Sequence, residues 1–243
     1  MQVRLLPPAN WDGPTNMAAD EVMLESAILG IPGLRFYTWS APTVSLGYFQ
    51  PASVRDRQEG LASLSYVRRA TGGATLVHHH ELTYAMALPP GSAWQPRGVS
   101  WICRMHEIIA AALSTWHIAG QIVGCEEEKK LSDVVCFMHH TPGDLVVRGH
   151  KVAGSAQRKS RGALLQHGGI LLRRSPYTPM LPGISDLAAV DLDADQVRLA
   201  IENAFVARTK WPLEPATWAE CEMQRMRQLA QEKYSAKAWN LKR

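Results

Sequence analysis

Long hydrophobic runs are missing from this 243-residue sequence. No stretch of about 18 apolar residues occurs, so nothing in it reads as a membrane span. Met1 to Pro8 lacks the basic flank and apolar run of a signal peptide, and a cytoplasmic protein is expected. Cysteine is sparse: Cys103, Cys125, Cys136 and Cys221 include no C-x-x-C pair. Their spacing fits neither a zinc site nor a small disulfide framework, so reduced thiols are expected, most of them packing residues. A strong excess of charge is absent too. The net charge is +4, and basic residues are scattered over Arg55–Arg57, Arg68–Arg69, Arg148–Arg161, Arg173–Arg174 and the C-terminal region. Such scatter suits solvated faces or a surface for an acidic protein, and no nucleic-acid motif accompanies it. His78, His79 and His80 are consecutive, but neighbours on a strand point to opposite faces and cannot all serve one ion. With no H-E-x-x-H helix either, no catalytic metal is expected, and a single histidine lining a pocket is the better reading.

What is present describes an ordinary globular chain, 46% apolar and 20% charged, long enough for a sizeable core in one domain. Thr15 to Leu29 reads as a helix capped by Thr15 or Asn16 and closed by Gly30, with Asp20 and Glu21 in its first turns. Ser100 to Trp116 is the clearest helix, because Ile102, Met105, Ile109, Ala112 and Trp116 recur at helical spacing. Strands are expected at 34–39, 43–46, 63–69, 74–77, 82–88, 120–124, 145–147, 151–156 and 163–172, with Arg148–Gly149 as a hairpin corner. Two more helices follow near 195–208 and 217–234. Strands in the centre with helices early, in the middle and late argue for an α+β (α/β) domain on a mixed, largely antiparallel sheet.

Two stretches carry the chemistry. In "RRATGGATLVHHHELTYA", Gly72 and Gly73 would let backbone N–H groups approach a ligand, with Arg68 and Arg69 favouring an anion or a developing oxyanion. Taken alone, that turn is weak evidence, and a plain hairpin connection is the better reading. "VVCFMHHTPGDLVVRGHKVAGSAQRK" sets Cys136 on one side of a glycine-containing turn and Lys151 on the other, beside a run of small residues.

"RRATGGATLVH", "HHELTYA", "GHKVAGSAQRK" and "GALLQHGGILL", with the entry "TNMAADEVML…LRFYTWSAPTVSLGYFQ", resemble in order and spacing the lipoate–protein ligase and octanoyltransferase family, over about residues 1–180. The remainder, about 190–243, reads as a helical extension of a single catalytic domain. The resemblance implies a fold like the catalytic domains of biotin ligases and class II tRNA synthetases, an acyl-binding tunnel, and an essential lysine, here Lys151. It further implies that Arg69, Thr71, Gly72, Gly73, His78, Gly154, Ser155, Ala156 and His167 line or bind the acyl substrate. Cys136–Phe137 lies 15 residues before Lys151. That spacing matches the cysteine transferases of the family whose nucleophile precedes the lysine. "MHHTPGD" in the intervening loop, His150 before the lysine and Gly169 in place of an expected serine depart from their pattern.

On this reading the donor is octanoyl (or lipoyl) acyl carrier protein, and Cys136 becomes the acyl-enzyme. The acceptor is a lysine of a lipoyl domain, such as glycine cleavage H protein or a 2-oxoacid dehydrogenase E2. Thioester exchange needs no cofactor. ATP and magnesium enter only if the chain is instead an ATP-dependent lipoate ligase. The same motifs would also suit an amidotransferase acting between lipoyl domains, or a non-catalytic lipoyl-domain binder. No nucleic acid or membrane partner is expected.

Overall fold

The computed structural model describes residues 1–57, 60–91, 100–124, 137 and 140–243. Its first helix, α1 (Gly13–Ile28), starts earlier than its sequence suggests. Asp12 is the cap: it keeps extended backbone angles (φ −70°, ψ 168°) and its carboxylate accepts the Thr15 N–H at 2.9 Å, while Pro14 occupies the first turn. Thr15 and Asn16 therefore sit inside the helix. Asn16 is buried, its amide donating to the carbonyls of Trp11 and Thr38. Gly30, at φ +92°, ends the helix as expected. Asp20, expected as a first-turn charge, is 2% exposed and belongs to the interior.

The twelve strands among the described residues follow the expected positions, with three additions at the chain's extremes. They are β1 (Val3–Leu5), β2 (Ala9–Trp11), β3 (Gly33–Trp39), β4 (Thr43–Leu46), β5 (Ser65–Arg68) and β6 (Leu76–His78). The rest are β7 (Glu81–Leu88), β8 (Gly120–Ile122), β9 (Leu145–Val147), β10 (His150–Ser160), β11 (Ala163–Leu171) and β12 (Leu213–Pro215). Nine form one sheet in the order β12-β1-β3-β7-β11-β10-β9-β8, with β2 added along β3. The pairs β12–β1, β1–β3 and β2–β3 are parallel and the others antiparallel, which is the mixed, largely antiparallel sheet that the sequence implies. The sheet β5-β4-β6 stands apart from it, a separation no local pattern announces.

Every residue of β7 and β11 is buried, so both faces of the sheet are covered. Against one face Leu82, Tyr84, Met86 and Leu88 pack on α2 (Trp101–Leu113), capped by Ser100, and on α4 (Ala194–Thr209). Against the other, Tyr37, Ala85, Ala87 and Leu165 pack on α1 and on α5 (Glu220–Leu229) with the π turn Ala230–Tyr234 after it. Two short helices, α3 (Ile184–Ala188) and α6 (Lys237–Asn240), complete the chain. Arg148 (φ +49°) and Gly149 (φ +78°) make the β9–β10 corner, a pair of left-handed residues suited to a two-residue hairpin turn. Among the described residues no helix is long and apolar enough to cross a membrane.

Candidate active site

The α1-side face of the sheet is bulky near its ends and small near its middle. On β10 and β11 the inward positions are Gly154, Ala156, His167 and Gly169, and the gap left by the two glycines and the alanine is a cavity that His167 also lines. Met17 of α1, Tyr37 and Trp39 of β3, Thr83 of β7, Leu76 and His78 of β6, and Phe137 close it. Arg69, Gly73 and Ala74 form its rim beside Ser155 and Gly168. The slot holds about 450 Å³ of atom-free space, part of it open to solvent. Its walls are mostly apolar, with convergent polar groups at few points, the pattern of a small-molecule site.

Lys151 lies at the slot's β10 side. A bulge between Lys151 and Ala153 shifts the register against β9 and turns the lysine arm over Gly154. Its side chain is 2% exposed, and Nζ meets Asp144 Oδ2 at 2.6 Å. The Thr141 backbone N–H (2.7 Å) and hydroxyl (2.9 Å) donate to the same carboxylate oxygen, fixing it before the lysine arrives. The ammonium also stands 5.4 Å from the Phe137 ring. A methyl group on Gly154 would lie 2.6 Å from Lys151 Cε, so only glycine leaves room for the arm. A buried ion pair beside a narrow apolar slot can stabilise negative charge developing on a carbonyl held there.

Two histidine–carboxylate pairs face the slot from the opposite wall. His78 stacks on Trp39 with ring centroids 3.6 Å apart. It meets Glu81 through Nδ1 at 2.6 Å and Ser45 Oγ through Nε2 at 2.7 Å. Burial pushes its pKa below the usual value, against the pull of Glu81, so the ring is neutral near pH 7. His167 meets Asp20 Oδ2 through Nδ1 and Thr71 Oγ1 through Nε2, both at 2.7 Å. Burial alone would raise the Asp20 carboxyl, but Arg35 at 2.9 Å and His167 outweigh it and hold the group ionised.

Seven of the residues singled out in the sequence therefore line the slot together: Arg69, His78, Gly154, Ser155, Ala156, His167 and Gly73. Thr71 and Gly72 stand behind it, Thr71 bonded to His167 and the Gly72 carbonyl accepting from Arg69 at 3.1 Å. The expectation that the two arginines attract an anion is corrected. Arg68 is fully buried, and its guanidinium donates to the carbonyls of Gly47, Tyr48, Gln50 and Asn240. Arg69 donates to Ser45 O and Oγ and to the carbonyls of Gly72 and Ala74, shaping the rim from within. Cys136 and Cys125, with His139, lie outside the described residues. Cys221 is exposed rather than packed, and Cys103 is half-buried on α2. His79 packs its ring 3.6 Å from that of His80, away from the slot.

Asp144, Asp20 and Glu81 are the site residues that the sequence reading missed. Asp144 had a visible signal, an acidic residue just before a strand hairpin whose far arm carries the lysine. Asp20 had none, since one turn of a helix looks like any other until the sheet beneath it is known.

The lipoyl protein ligase A/B catalytic domain family matches residues 12–180 of the chain. Octanoyltransferase LipM of Halalkalibacterium halodurans is 31% identical over 275 residues, covering 99% of each chain. LipM of Bacillus subtilis is 30% identical, covering 99% of this chain and 98% of the relative. Among solved structures, lipoate-protein ligase A bound with ATP superposes with a TM-score of 0.81 at 23% identity, over 99% of both chains. A bi-partite lipoate protein ligase of Thermoplasma acidophilum, studied with its E2 lipoyl domain, gives 0.75 at 22% identity over 99% of this chain and 96% of that one. These two share the fold. The slot, its lysine and the sequence around both thus sit in the segment matched by the family and by relatives aligned over nearly their whole length: the chain belongs to the lipoyl protein ligase A/B catalytic-domain family.

Proposed function

We propose that this protein is a cysteine-dependent octanoyltransferase of lipoate assembly, taking octanoyl from acyl carrier protein and delivering it to a lysine of a lipoyl domain. The observation that carries the reading is the narrow apolar slot with the buried Lys151–Asp144 pair beside its Gly154, and with Phe137, next in the chain after Cys136, on its wall. A slot floored by glycine and alanine leaves room for an aliphatic acyl chain. Burying an octanoyl tail there contributes about 5 kcal/mol at ~0.8 kcal/mol per methylene. The names of the relatives support octanoyl as cargo, and the lipoyl-domain acceptor is in keeping with the E2 lipoyl domain paired with the archaeal ligase.

In the first half-reaction the Cys136 thiolate adds to the carrier thioester carbonyl. The C–S bond to the carrier then breaks, and the carrier leaves as a thiolate that takes up a proton. In the second, a neutral lysine amine of the acceptor adds to the Cys136 thioester, the amide C–N bond forms, the amine sheds a proton and Cys136 is released. One thioester replaces another and an amide replaces that, so both steps run without ATP. Lys151 faces the carbonyl oxygen in each tetrahedral intermediate, held there by Asp144.

Intact mass after incubation with octanoyl carrier protein and no ATP tests this. A gain of one octanoyl group, released by hydroxylamine and lost in Cys136→Ser, is expected. No adduct without ATP, together with octanoyl transfer once ATP and free octanoate are supplied, overturns the transferase reading in favour of a ligase.

A further inference from the structure

Behind the lysine, on the far face of the sheet, runs a buried polar chain that the half-reactions above do not use. His106 of α2 is fully buried, its Nδ1 2.5 Å from the Gly143 carbonyl and its Nε2 2.7 Å from Ser155 Oγ. Ser155 Oγ is 2.6 Å from the Tyr84 hydroxyl, which accepts from Gln166 Nε2 at 2.7 Å. Gln166 Nε2 also donates to the Trp101 carbonyl at 3.2 Å, and its Oε1 accepts from Gln157 at 2.7 Å.

The direction of every proton in that chain follows. A backbone carbonyl only accepts, so His106 carries its proton on Nδ1 and offers a lone pair at Nε2. Ser155 must then donate to Nε2 and accept from Tyr84, whose other neighbour, the Gln166 amide, is already a donor. Reversing any link strands a buried O–H, which costs more than the bond it would replace. A protonated imidazole has no place here, in keeping with the burial that drives the His106 pKa down to about 4. Tyr84, pushed up to about 12 by burial, keeps its proton.

The carbonyl that His106 holds belongs to Gly143, whose φ of +92° forms the turn immediately before Asp144. A Cβ there would come within 3.1 Å of Cys103 Sγ and 3.2 Å of Ile102 on the same helix, so the turn is seated directly against α2. Val123 pairs with this turn through two backbone bonds, Gly143 N–H to Val123 O and Val123 N–H to Asp144 O, both 2.9 Å. His106 secures its Gly143 carbonyl, and from it the Asp144 carboxylate reaches Lys151. We propose that His106 is a positioning residue for the transfer reaction: its Nδ1–H fixes the Gly143–Asp144 turn, and through it the seat of Lys151. The inference rests on the transferase reading for the role of Lys151, but not for the geometry of the network.

Two isosteric halves of the imidazole separate this role from packing. His106→Asn places an amide donor where Nδ1 stood and gives up Ser155. His106→Gln reaches Ser155 and gives up the Gly143 carbonyl. Asparagine is expected to keep kcat within about threefold of wild type, and glutamine to lower kcat by 10- to 100-fold with KM for the octanoyl donor unchanged. Equal losses in both variants, or a better-tolerated glutamine, overturn the proposal, because a space-filling side chain favours the larger substitute. Side-chain ¹⁵N NMR supplies a readout independent of turnover. The Nδ1–H tautomer of His106 should persist from pH 8 to pH 5, whereas an Nε2–H tautomer or titration near pH 6.5 overturns the proton directions. If transfer proves ATP-dependent, the same ranking of variants measured on that reaction still tests His106, so failure of the transferase reading and of this inference stay distinguishable.

Discussion

Gly154→Ala isolates what the position of Lys151 is worth. The new methyl would stand 2.6 Å from Lys151 Cε, 3.1 Å from Nζ and 3.5 Å from Asp144 Oδ1. Carbon atoms settle at about 3.5–4.0 Å, so the lysine arm must swing away by about 1 Å. Its contact with Asp144, now 2.6 Å, then opens beyond hydrogen-bonding range. A misplacement of that size costs a reaction about 100-fold, or ~2.7 kcal/mol of barrier at 1.36 kcal/mol per tenfold. Gly154 is not among the glycines with positive φ, so alanine suits its backbone, and the clash is with the movable end of a side chain. Off-rotamer strain of about 1 kcal/mol and a stretched charged hydrogen bond worth about 1.5–3 kcal/mol are partly offset by the stiffer unfolded chain, leaving the melting temperature within about 8 °C of wild type. Steady-state transfer from octanoyl carrier protein to a lipoyl domain, beside a thermal melt, reads both. A kcat within threefold of wild type refutes the claim that the lysine's seat controls the chemistry. A raised KM at unchanged kcat says that the methyl merely shortened the slot, and a melt lowered by 10 °C or more says that the loss was one of folding.

Three further outcomes follow from the same contacts. Asp144→Asn leaves Lys151 buried without its carboxylate and should cost about 3–5 kcal/mol in urea unfolding, much of it recovered, without activity, in Asp144→Asn/Lys151→Met. His106 has a folded pKa of about 4 against about 6.5 unfolded, so the unfolded chain binds more protons between those values. Its contribution is complete above pH 6.5 and lost as pH falls toward 4, about 2 kcal/mol between pH 7.5 and 5. Urea titrations of wild type and His106→Asn should differ in pH dependence by that amount, His78 being common to both. Gly47→Ala would drive a methyl to 1.8 Å from the Gly73 carbonyl, backbone against backbone. A loss of about 3 kcal/mol in thermal or urea stability is expected, at the top of the overpacking range, and a neutral effect would mean the rim loop is looser than this contact implies.

Elements built from local periodicity were legible in the sequence, and those built from distant pairing were not. α2 announces itself by helical spacing and Ser100, and β7 and β11 by length and β-forming residues between turns. β1 and β12 are three residues each and pair in parallel across more than two hundred positions, a union that no window of sequence contains. The site divides the same way. Lys151 and the small residues beyond it are readable because they are contiguous. The arginines misled because a guanidinium before a glycine turn looks the same whether it awaits an anion or, as here, braces the turn by donating to its carbonyls.

The run Gly154-Ser155-Ala156 shows why half of a site can be read from residue type and half cannot. Strand periodicity sends Gly154 and Ala156 to one face and Ser155 to the other. Toward α1 the two small side chains open the slot and clear the path of the lysine arm. Toward α2 the serine hydroxyl is the link between Tyr84 and His106. Smallness at alternate positions is a property of the sequence itself, and it implies a slot wherever that strand face is covered. The serine's meaning lies wholly in its partners, which come from β7, 71 residues before it, and from α2, 49 residues before it. A valine at 155 would keep the strand and the slot yet strand a buried imidazole nitrogen and a phenol. The cost would fall on Asp144 and Lys151, on the face of the sheet the valine does not touch.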